Sequence, residues 1–187
     1  MPQNQHEIAR SDYFRLRERY TPNQRRIIFV LESPPKSGLY FYDPNGSVSE
    51  PLFRAMMKDV VELKPTTKDE GLREFSARGY LLIDATYKPV NHAHLSKRAR
   101  NQLILDDFPL LLEDLRHHMQ SATQLVLVKA NVCELLEPML AGNGFTVLNR
   151  GKKVPFPSTG NQNKFRDTVR PMLGLTVVEP RPLLSNI

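Results

Sequence analysis

Two carboxylates stand at the ends of apolar runs in this chain. Glu32, with Ser33 beside it, follows residues 26–31, and two prolines restrict the turn that comes next. Asp84 closes the run 80–84. A carboxylate fixed at such a point can act as a general base or stabilise a developing positive charge. The alternatives are a solvated loop acid or a helix cap for Glu32, and a side chain that faces away and binds a backbone N–H for Asp84.

An aromatic cluster follows Glu32 closely, in the segment 38–42 with the sequence GLYFY. Aromatic rings next to a carboxylate suit a flat ligand ring that has to be stacked and positioned. Phe41 is the candidate for this stacking role. Ordinary core packing is the alternative for the same residues.

The segment 151–165 (GKKVPFPSTGNQNKF) combines turn residues with lysines and leads into a predicted helix. The backbone N–H groups at the start of a helix, with nearby hydroxyls, suit a phosphate group. The segment therefore favours contact with a nucleic-acid backbone. Its candidate contact residues are Pro157, Ser158, Thr159, Asn161, Gln162 and Lys164.

Strands must position these residues. Short apolar or β-rich runs predict four strands, at residues 26–31, 80–84, 124–128 and 145–148. Helical periodicity fills the intervals and the C-terminal part of the chain, at residues 11–20, 50–63, 67–78, 96–119 with a break near Pro109, 131–142 and 162–173. The alternation predicts an α/β fold, a three-layer α/β/α sandwich with a central four-stranded parallel sheet. Such a sheet gathers the residues that follow its strands into one crevice.

Length and charge limit the domain count and the partner. A chain of 187 residues with 40% hydrophobic residues favours one domain, 1–187, with an N-terminal helix and extension over 1–25 and a tail over 174–187. A net charge of +6 and a pI near 9.5 favour a polyanionic partner, with nucleic acid the leading candidate.

Several other functional classes are disfavoured. A single cysteine, Cys133, allows no internal disulfide and no iron–sulfur cluster. His92 and His94 have no further ligands at zinc spacing, so we expect neither a metal nor another cofactor. No run resembles a signal peptide or a membrane span, and we expect a cytoplasmic protein, nucleoid-associated if bacterial, that binds no membrane and is monomeric.

Four motifs in this order resemble those of the uracil-DNA glycosylase superfamily. The resemblance extends from about residue 26 to 173, and the segments that carry it are Val30–Pro35 (VLESPP), Gly38–Phe41 (GLYF), Leu81–Asp84 (LLID) and Pro157–Phe165 (PSTGNQNKF). They are similar to the family's first motif, as in GQDPY, GEAPG or GMNPG, to its GLxF, to its LLLN, and to the PSPRNPQANKGW stretch of the single-strand-selective monofunctional enzymes.

The resemblance implies a role for each matched residue. Glu32 would be the catalytic carboxylate, and Ser33 would help position the attacking water. Phe41 would stack on the flipped base, and Asp84 would hydrogen-bond its edge. Outside the matched segments, Lys88 or backbone N–H groups are the candidates for stabilising the departing base anion. The loop after Pro157 would grip phosphates, with Asn161 or Gln162 as the wedge in the base stack.

Three positions depart from the family pattern. Ser33 replaces an aspartate or asparagine, Asp84 replaces the base-recognising asparagine, and Phe156 replaces the histidine that stabilises the departing base. Uracil offers an N3–H donor and an O4 acceptor, so Asp84 satisfies both atoms only when it is protonated. His92 or His94 could replace the missing histidine, but loop histidines of this kind are more often solvated.

The sequence thus predicts a monofunctional DNA glycosylase that hydrolyses the N-glycosidic bond of uracil or a related deaminated base. No lysine is evidently placed as a Schiff-base nucleophile, so strand cleavage is not expected. We expect Asn131 to be a helix N-cap rather than a ligand. The main alternative is a non-catalytic nucleic-acid-binding protein that retains the fold. A pocket for a free nucleoside or nucleotide is the third hypothesis.

Overall fold

The computed structural model describes residues 10–90 and 95–175 of the chain. His92 and His94 lie outside the described residues, as do the last twelve residues of the predicted tail. The described residues form an α/β fold with a parallel sheet, which confirms the predicted class. The strands are β1 (Ile27–Leu31), β2 (Tyr80–Asp84) and β3 (Gln124–Leu127).

Seven α-helices accompany these strands in the described part of the chain. They are α1 (Arg10–Glu18), α2 (Pro51–Ala55), α3 (Lys68–Ala77), α4 (Lys97–Asp106), α5 (Phe108–His118), α6 (Ala130–Gly142) and α7 (Gln162–Met172). A π-helical segment, Met56–Val61, continues α2 directly. The predicted break near Pro109 is confirmed, because α4 ends and α5 begins on either side of Asp107.

The central strand is β1, and the strand order is β2-β1-β3. Leu31 is paired with Asp84 at the end of β2, and Val30 with Leu127 at the end of β3, so the three strands finish at one edge. Nearly all strand residues are buried, as expected for a parallel sheet covered by helices. The chain leaves β1 toward β2 on one side and later adds β3 on the other, and such a reversal of strand order creates a crevice above the central strand.

The described residues contain three strands where the sequence predicted four. The run 145–148 forms only an isolated parallel bridge between Val147 and Leu125. Beyond it, the side-chain amide of Asn149 takes the place of a backbone peptide: its Oδ1 accepts from the Leu127 N–H at 2.9 Å and its Nδ2 donates to the Leu127 carbonyl at 3.0 Å. A second bridge joins Val154 to Val128. Residues 146–154 therefore cover the edge of β3 without forming a continuous strand.

Local sequence explains how the helices enter and leave the sheet. Thr67 caps α3 by accepting a hydrogen bond from the Glu70 N–H at 3.2 Å. After α3 the chain turns at Gly79, whose φ of +75° is a conformation that favours glycine. A Cβ at this position would lie 2.8 Å from the Gln24 carbonyl oxygen, so the close approach of this turn to the segment that leads into β1 also requires glycine. In residues 10–90 and 95–175 no helix is both long and apolar enough to cross a membrane.

Candidate active site

A cavity of about 390 Å³ opens at the carboxyl ends of β1 and β2. Its walls are largely apolar, and three buried carboxyl groups line it, those of Glu32, Glu50 and Asp84; the Glu50 carboxylate is paired with Lys68 at 2.8 Å. The residues on which the argument below depends are Glu32, Ser33, Tyr40, Phe41, Asp84, Lys129 and Phe156. The cavity thus has the apolar walls and few polar groups typical of a site for a small organic group.

Glu32 is the first residue after β1, and only 6% of it is exposed. Its carboxylate forms an ion pair with the Lys129 ammonium and accepts a hydrogen bond from Asn131 Nδ2 at 2.6 Å. The two partners engage different carboxylate oxygens, Oε2 and Oε1 respectively. Burial of an unpaired carboxylate is costly, and these two partners offset that cost while fixing the orientation of the group.

Lys129 adopts a backbone conformation that L-residues rarely use, with φ +89° and ψ 134°. A conformation of this kind costs roughly 1–3 kcal/mol outside glycine and persists only where the surrounding structure enforces it. Lys129 N–H donates to the Val154 carbonyl at 2.8 Å, and its carbonyl accepts from the Cys133 N–H at 3.0 Å. These contacts hold the junction between β3 and α6 and direct the Lys129 side chain into the cavity.

Asp84 ends β2 and is 4% exposed. Burial raises the pKa of its carboxyl group to about 7, against opposition from the positive charge of Arg17. Asp84 is therefore present in both protonation states near neutral pH. A protonated carboxyl group both donates and accepts a hydrogen bond, as a side-chain amide does.

A buried polar cluster lies behind Asp84, on the side away from the cavity. The Arg17 guanidinium forms a bidentate ion pair with Asp114, with both N–O distances 2.7 Å, and donates to the Tyr87 hydroxyl at 2.8 Å. Burial alone would raise the pKa of Asp114, but hydrogen bonds from His118 and Arg17 bring it down to about 2. Asp84 thus lies between the Arg17–Asp114 ion pair and the open cavity.

Aromatic rings form part of the cavity wall. Phe41 lines the cavity while its ring packs edge-to-face against Phe75, with centroids 5.3 Å apart. Phe156 is half-buried and also lines the cavity. The Tyr40 hydroxyl is buried and has no hydrogen-bond partner in the described part of the structure. Both interpretations of Phe41, as core residue and as cavity residue, thus agree with its position.

Of the predicted residues Ser33 and Lys88, only Ser33 lies in the cavity wall. Ser33 lines the cavity, and its hydroxyl accepts a long hydrogen bond from the Val90 N–H at 3.3 Å. Lys88 does not line it; its ammonium is paired with Asp107 at 2.8 Å and is 55% exposed. The structure therefore does not bring Lys88 to the group of Glu32, Phe41 and Asp84.

The predicted DNA-contacting loop lies next to the cavity through Phe156. Pro157 is buried, whereas Thr159 and Lys164 are exposed. The turn is held locally, since Asn161 N–H donates to the Ser158 carbonyl at 2.9 Å and Asn161 Nδ2 to the Ser158 hydroxyl at 3.2 Å. Gln162 begins α7, and its side chain accepts from the Gly160 N–H. The loop thus presents polar groups at a helix start beside the cavity mouth.

Two site residues were not predicted. Lys129 was given no role, and the expectation that Asn131 caps a helix was wrong, because Lys129 occupies the N-cap position of α6 while Asn131 binds Glu32. A signal for both was present, since they follow the third predicted strand and parallel strands end at one edge.

No cluster of potential metal ligands occurs among the residues that the structure describes. Comparison with known proteins gives no family assignment: no family model, no curated protein and no solved structure matches the chain.

Proposed function

We propose that this protein is a DNA glycosylase that hydrolyses the N-glycosidic bond of uracil, or of a related deaminated base, in DNA. The observation that carries the proposal is the placement of Glu32: a buried, oriented carboxylate in the wall of a cavity that is also lined by Asp84 and by aromatic rings. The motif resemblance supports the same activity.

The chemistry of the reaction explains the need for Glu32. Cleavage of an N-glycosidic bond develops positive charge on the sugar and negative charge on the departing base. A carboxylate that is already oriented and largely shielded from water stabilises the sugar cation without reorganisation and can accept a proton from the attacking water. Asn131 and Lys129 supply the orientation, and the Ser33 hydroxyl, also in the cavity wall, is available to the water.

Base recognition is assigned to Asp84 and Phe41. Protonated Asp84 donates to the uracil O4 and accepts from N3–H, so its raised pKa supports the recognition of uracil near neutral pH. Phe41 provides an aromatic surface in the same wall. A base flipped out of a strand costs a few kcal/mol to extrude, least when it is mispaired or single-stranded.

Lys129 replaces Lys88 in our assignment of the group that stabilises the departing base. The charge of Lys88 is committed to Asp107, whereas Lys129 lines the cavity with 32% of its side chain exposed. An ammonium near the developing anion supplies the electrostatic stabilisation that the family histidine would give. Phe156 at the histidine position leaves Lys129 as the cation among the cavity-lining residues described.

DNA is the proposed partner, gripped by the loop of residues 157–164 at the start of α7. Helix starts and lysines favour phosphate groups, and the net charge of +6 favours a polyanion over the whole surface.

The proposal includes helices on both faces of the sheet, a three-layer arrangement in which residues 146–154 occupy the place of the fourth predicted strand. Action on DNA agrees with the cytoplasmic location expected from the sequence.

One observation favours a second candidate, a non-catalytic nucleic-acid-binding protein. Phe156 brings an apolar ring into the cavity where a hydrogen-bond donor would assist catalysis. In that case the cavity would hold a base without releasing it, and Glu32 would have only a structural role.

Base release and DNA binding, measured together, separate the two candidates. Single- and double-stranded oligonucleotides that carry one uracil, hypoxanthine, xanthine or mismatched thymine are incubated with the wild-type protein. Abasic products are cleaved with alkali, and binding is followed by fluorescence anisotropy. We expect alkali-sensitive product with uracil in at least one strand context. Binding without release of any of the four bases would overturn the enzymatic proposal in favour of the binding protein.

A further inference from the structure

Lys129 combines three features that a purely structural partner of Glu32 does not require. Its backbone has φ +89°, its side chain lines the cavity, and it stands at the N-cap of α6. The start of a helix carries partial positive charge and therefore opposes an ammonium group at that place. The ion pair with Glu32 offsets this repulsion. Lys129 therefore lies in the cavity despite a rare backbone conformation and despite the partial positive charge at the start of α6.

Holding the Glu32 carboxylate in place does not require a lysine with a rare backbone conformation. Asn131 already binds Glu32 from a regular helical position, at 2.6 Å. A glycine at position 129 would avoid a conformational cost of roughly 1–3 kcal/mol. Residues held in rare conformations by their surroundings cluster at active sites, and the direction of inference is from such an outlier to a function.

We propose that Lys129 is a nucleophile that forms an imine with the deoxyribose C1′ once the base has left, which gives the protein a lyase activity at abasic sites. This inference rests on the proposed function, because it takes as its substrate the abasic product of the glycosylase reaction. It differs from the expectation, drawn from the sequence, that strand cleavage does not occur. Amines of lysine are established nucleophiles toward carbonyl carbons in enzymes.

The Glu32–Lys129 pair can manage the protons of the imine-forming step. The Lys129 ammonium transfers one proton to the Glu32 carboxylate, and the free amine attacks the C1′ aldehyde of the ring-opened sugar. Proton transfer from nitrogen to oxygen gives the carbinolamine. Protonated Glu32 then returns its proton to the hydroxyl, water leaves, and a C1′ iminium ion forms. The net reaction joins ammonium and aldehyde and releases one water.

Strand cleavage follows from the iminium ion by elimination. The Glu32 carboxylate accepts the C2′ proton, the electron pair of that C–H bond forms the C1′–C2′ double bond of an enamine, and the C3′–O bond breaks as the enamine electrons move to C2′–C3′. The 3′ phosphate group departs with the electron pair of the broken bond. A carboxylate in contact with the amine is suitably placed for both proton transfers, since the two side chains form a direct ion pair.

The Lys129 amine is more accessible to solvent than the Glu32 carboxylate, as attack of the amine on the sugar requires. The Lys129 side chain is 32% exposed, whereas the Glu32 side chain is 7% exposed. The amine is therefore the group that an incoming sugar meets first, and the carboxylate lies behind it, where it can exchange protons with nitrogen.

The test uses a duplex with a preformed abasic site, so that it does not depend on base release. The wild-type protein is incubated with this DNA and sodium borohydride, which reduces an imine to a stable amine link. We expect a covalent protein–DNA adduct, and mass spectrometry of its tryptic peptides should place the link at Lys129. Without borohydride, the same DNA should show strand cleavage.

Two variants serve as comparison. Lys129→Arg keeps a cation beside Glu32 but removes the nucleophilic amine, and it should form no adduct. Lys153→Ala removes a surface lysine that pairs with Glu134, and it should form as much adduct as the wild type. Peptide mapping on the wild type keeps the test valid even if the Lys129 variant does not fold.

The outcomes separate this inference from the proposed function. Base release without a borohydride adduct, or an adduct mapped to other lysines, would overturn the role of Lys129 as nucleophile and leave the glycosylase proposal intact. An adduct at Lys129 on abasic DNA without release of any base from intact DNA would support the lyase and overturn the glycosylase.

Discussion

Two buried ion pairs lie on either side of Asp84, and they differ mainly in how the cation is held. The Asp114 and Glu32 carboxylates are both 7% exposed, but the Arg17 side chain is 2% exposed and that of Lys129 is 32% exposed. Arg17 lies in the regular helix α1. It donates two parallel hydrogen bonds to the Asp114 carboxylate and a third to the Tyr87 hydroxyl. Lys129 engages one carboxylate oxygen, from a strained backbone.

This difference indicates that the Arg17–Asp114 pair stabilises the fold, whereas the surrounding fold holds the Lys129–Glu32 pair in place. The Arg17 pair joins α1 to α5, and the described residues leave only about 10 Å³ of space beside Asp114, whereas the Lys129 pair faces a cavity of about 390 Å³. Both follow the rule that a buried charge needs a partner. Only the second leaves its cation accessible, and we therefore place function there.

The largest expected effect is on stability, from removal of the Arg17 cation. Arg17→Met leaves the buried Asp114 carboxylate without its bidentate partner, and loss of one member of a buried pair costs roughly 3–5 kcal/mol. We expect the free energy of unfolding, measured by urea titration, to fall by this amount. Arg15→Met is the matched control on the same helix, because its pair with Asp12 is exposed and its loss should change stability by less than about 0.5 kcal/mol. Equal effects of both variants would contradict a structural role for the Arg17 pair.

The next effect is the pH dependence that Asp84 imposes from between the two pairs. The pKa of Asp84 is about 7 in the folded protein, above its ordinary value of 3.8, so the folded state holds a proton that the unfolded chain releases between about pH 4 and pH 7. Stability due to this group is therefore present at low pH and is lost as pH rises through 7. A pKa difference of this size corresponds to roughly 4 kcal/mol at most.

Asp84→Asn should remove this loss. The free energy of unfolding of the variant minus that of the wild type should increase from pH 4 to pH 8, because all other titrating groups cancel in the difference. The variant should also retain base release from uracil-containing DNA, since the amide keeps both hydrogen-bonding functions. A difference that is constant with pH would refute the raised pKa, and a folded variant without activity would count against base recognition by residue 84.

A smaller effect should reveal the strain at Lys129. Lys129→Gly and Lys129→Ala both remove the amine and leave Glu32 with Asn131 alone, but only alanine keeps the unfavourable conformation. The glycine variant should therefore be more stable than the alanine variant by about 1–3 kcal/mol in urea titration. Alanine and glycine at equal stability would show that position 129 is not strained. Ala141→Gly, in helix α6, is the control. There the wild-type alanine should be more stable than glycine by about 1 kcal/mol.

The smallest effect lies outside both ion pairs, in the loop that follows Pro157. If exposed Lys164 contacts a phosphate, Lys164→Ala should weaken DNA binding and reduce the slope of log K against log salt concentration by about 0.9. Anisotropy titrations at several salt concentrations measure this slope. Lys97→Ala, at a surface pair with Glu134, gives the comparison. A slope unchanged by Lys164→Ala would remove this residue from the DNA interface.

The three strands were predictable because their apolar runs are short, continuous and bounded by turn residues. The predicted ends of β1, β2 and β3 agree with the structure to within one residue. The fourth strand failed for a specific reason: the Asn149 side chain binds the Leu127 peptide in place of a backbone, and residue patterns do not reveal such a substitution.

The candidate site was predictable in part. Glu32, Asp84 and Phe41 follow strands or motifs, and the structure brings them into one cavity. Lys129 escaped prediction because a lysine gives no sign of a positive φ, which is a property of glycine in most loops. Lys88 was predicted to stabilise the departing base, but its ammonium binds Asp107 in the structure.

Single-turnover base release by Glu32→Gln tests the central claim most directly. The variant removes the negative charge and keeps the size of the side chain, so uracil release should fall by roughly 10²–10⁴-fold relative to wild type at equal folded fraction. Glu134→Gln, which alters an exposed glutamate paired with surface lysines, should release uracil at the wild-type rate. Uracil release by folded Glu32→Gln at a rate within a few-fold of wild type would contradict the assignment of Glu32 as the catalytic carboxylate.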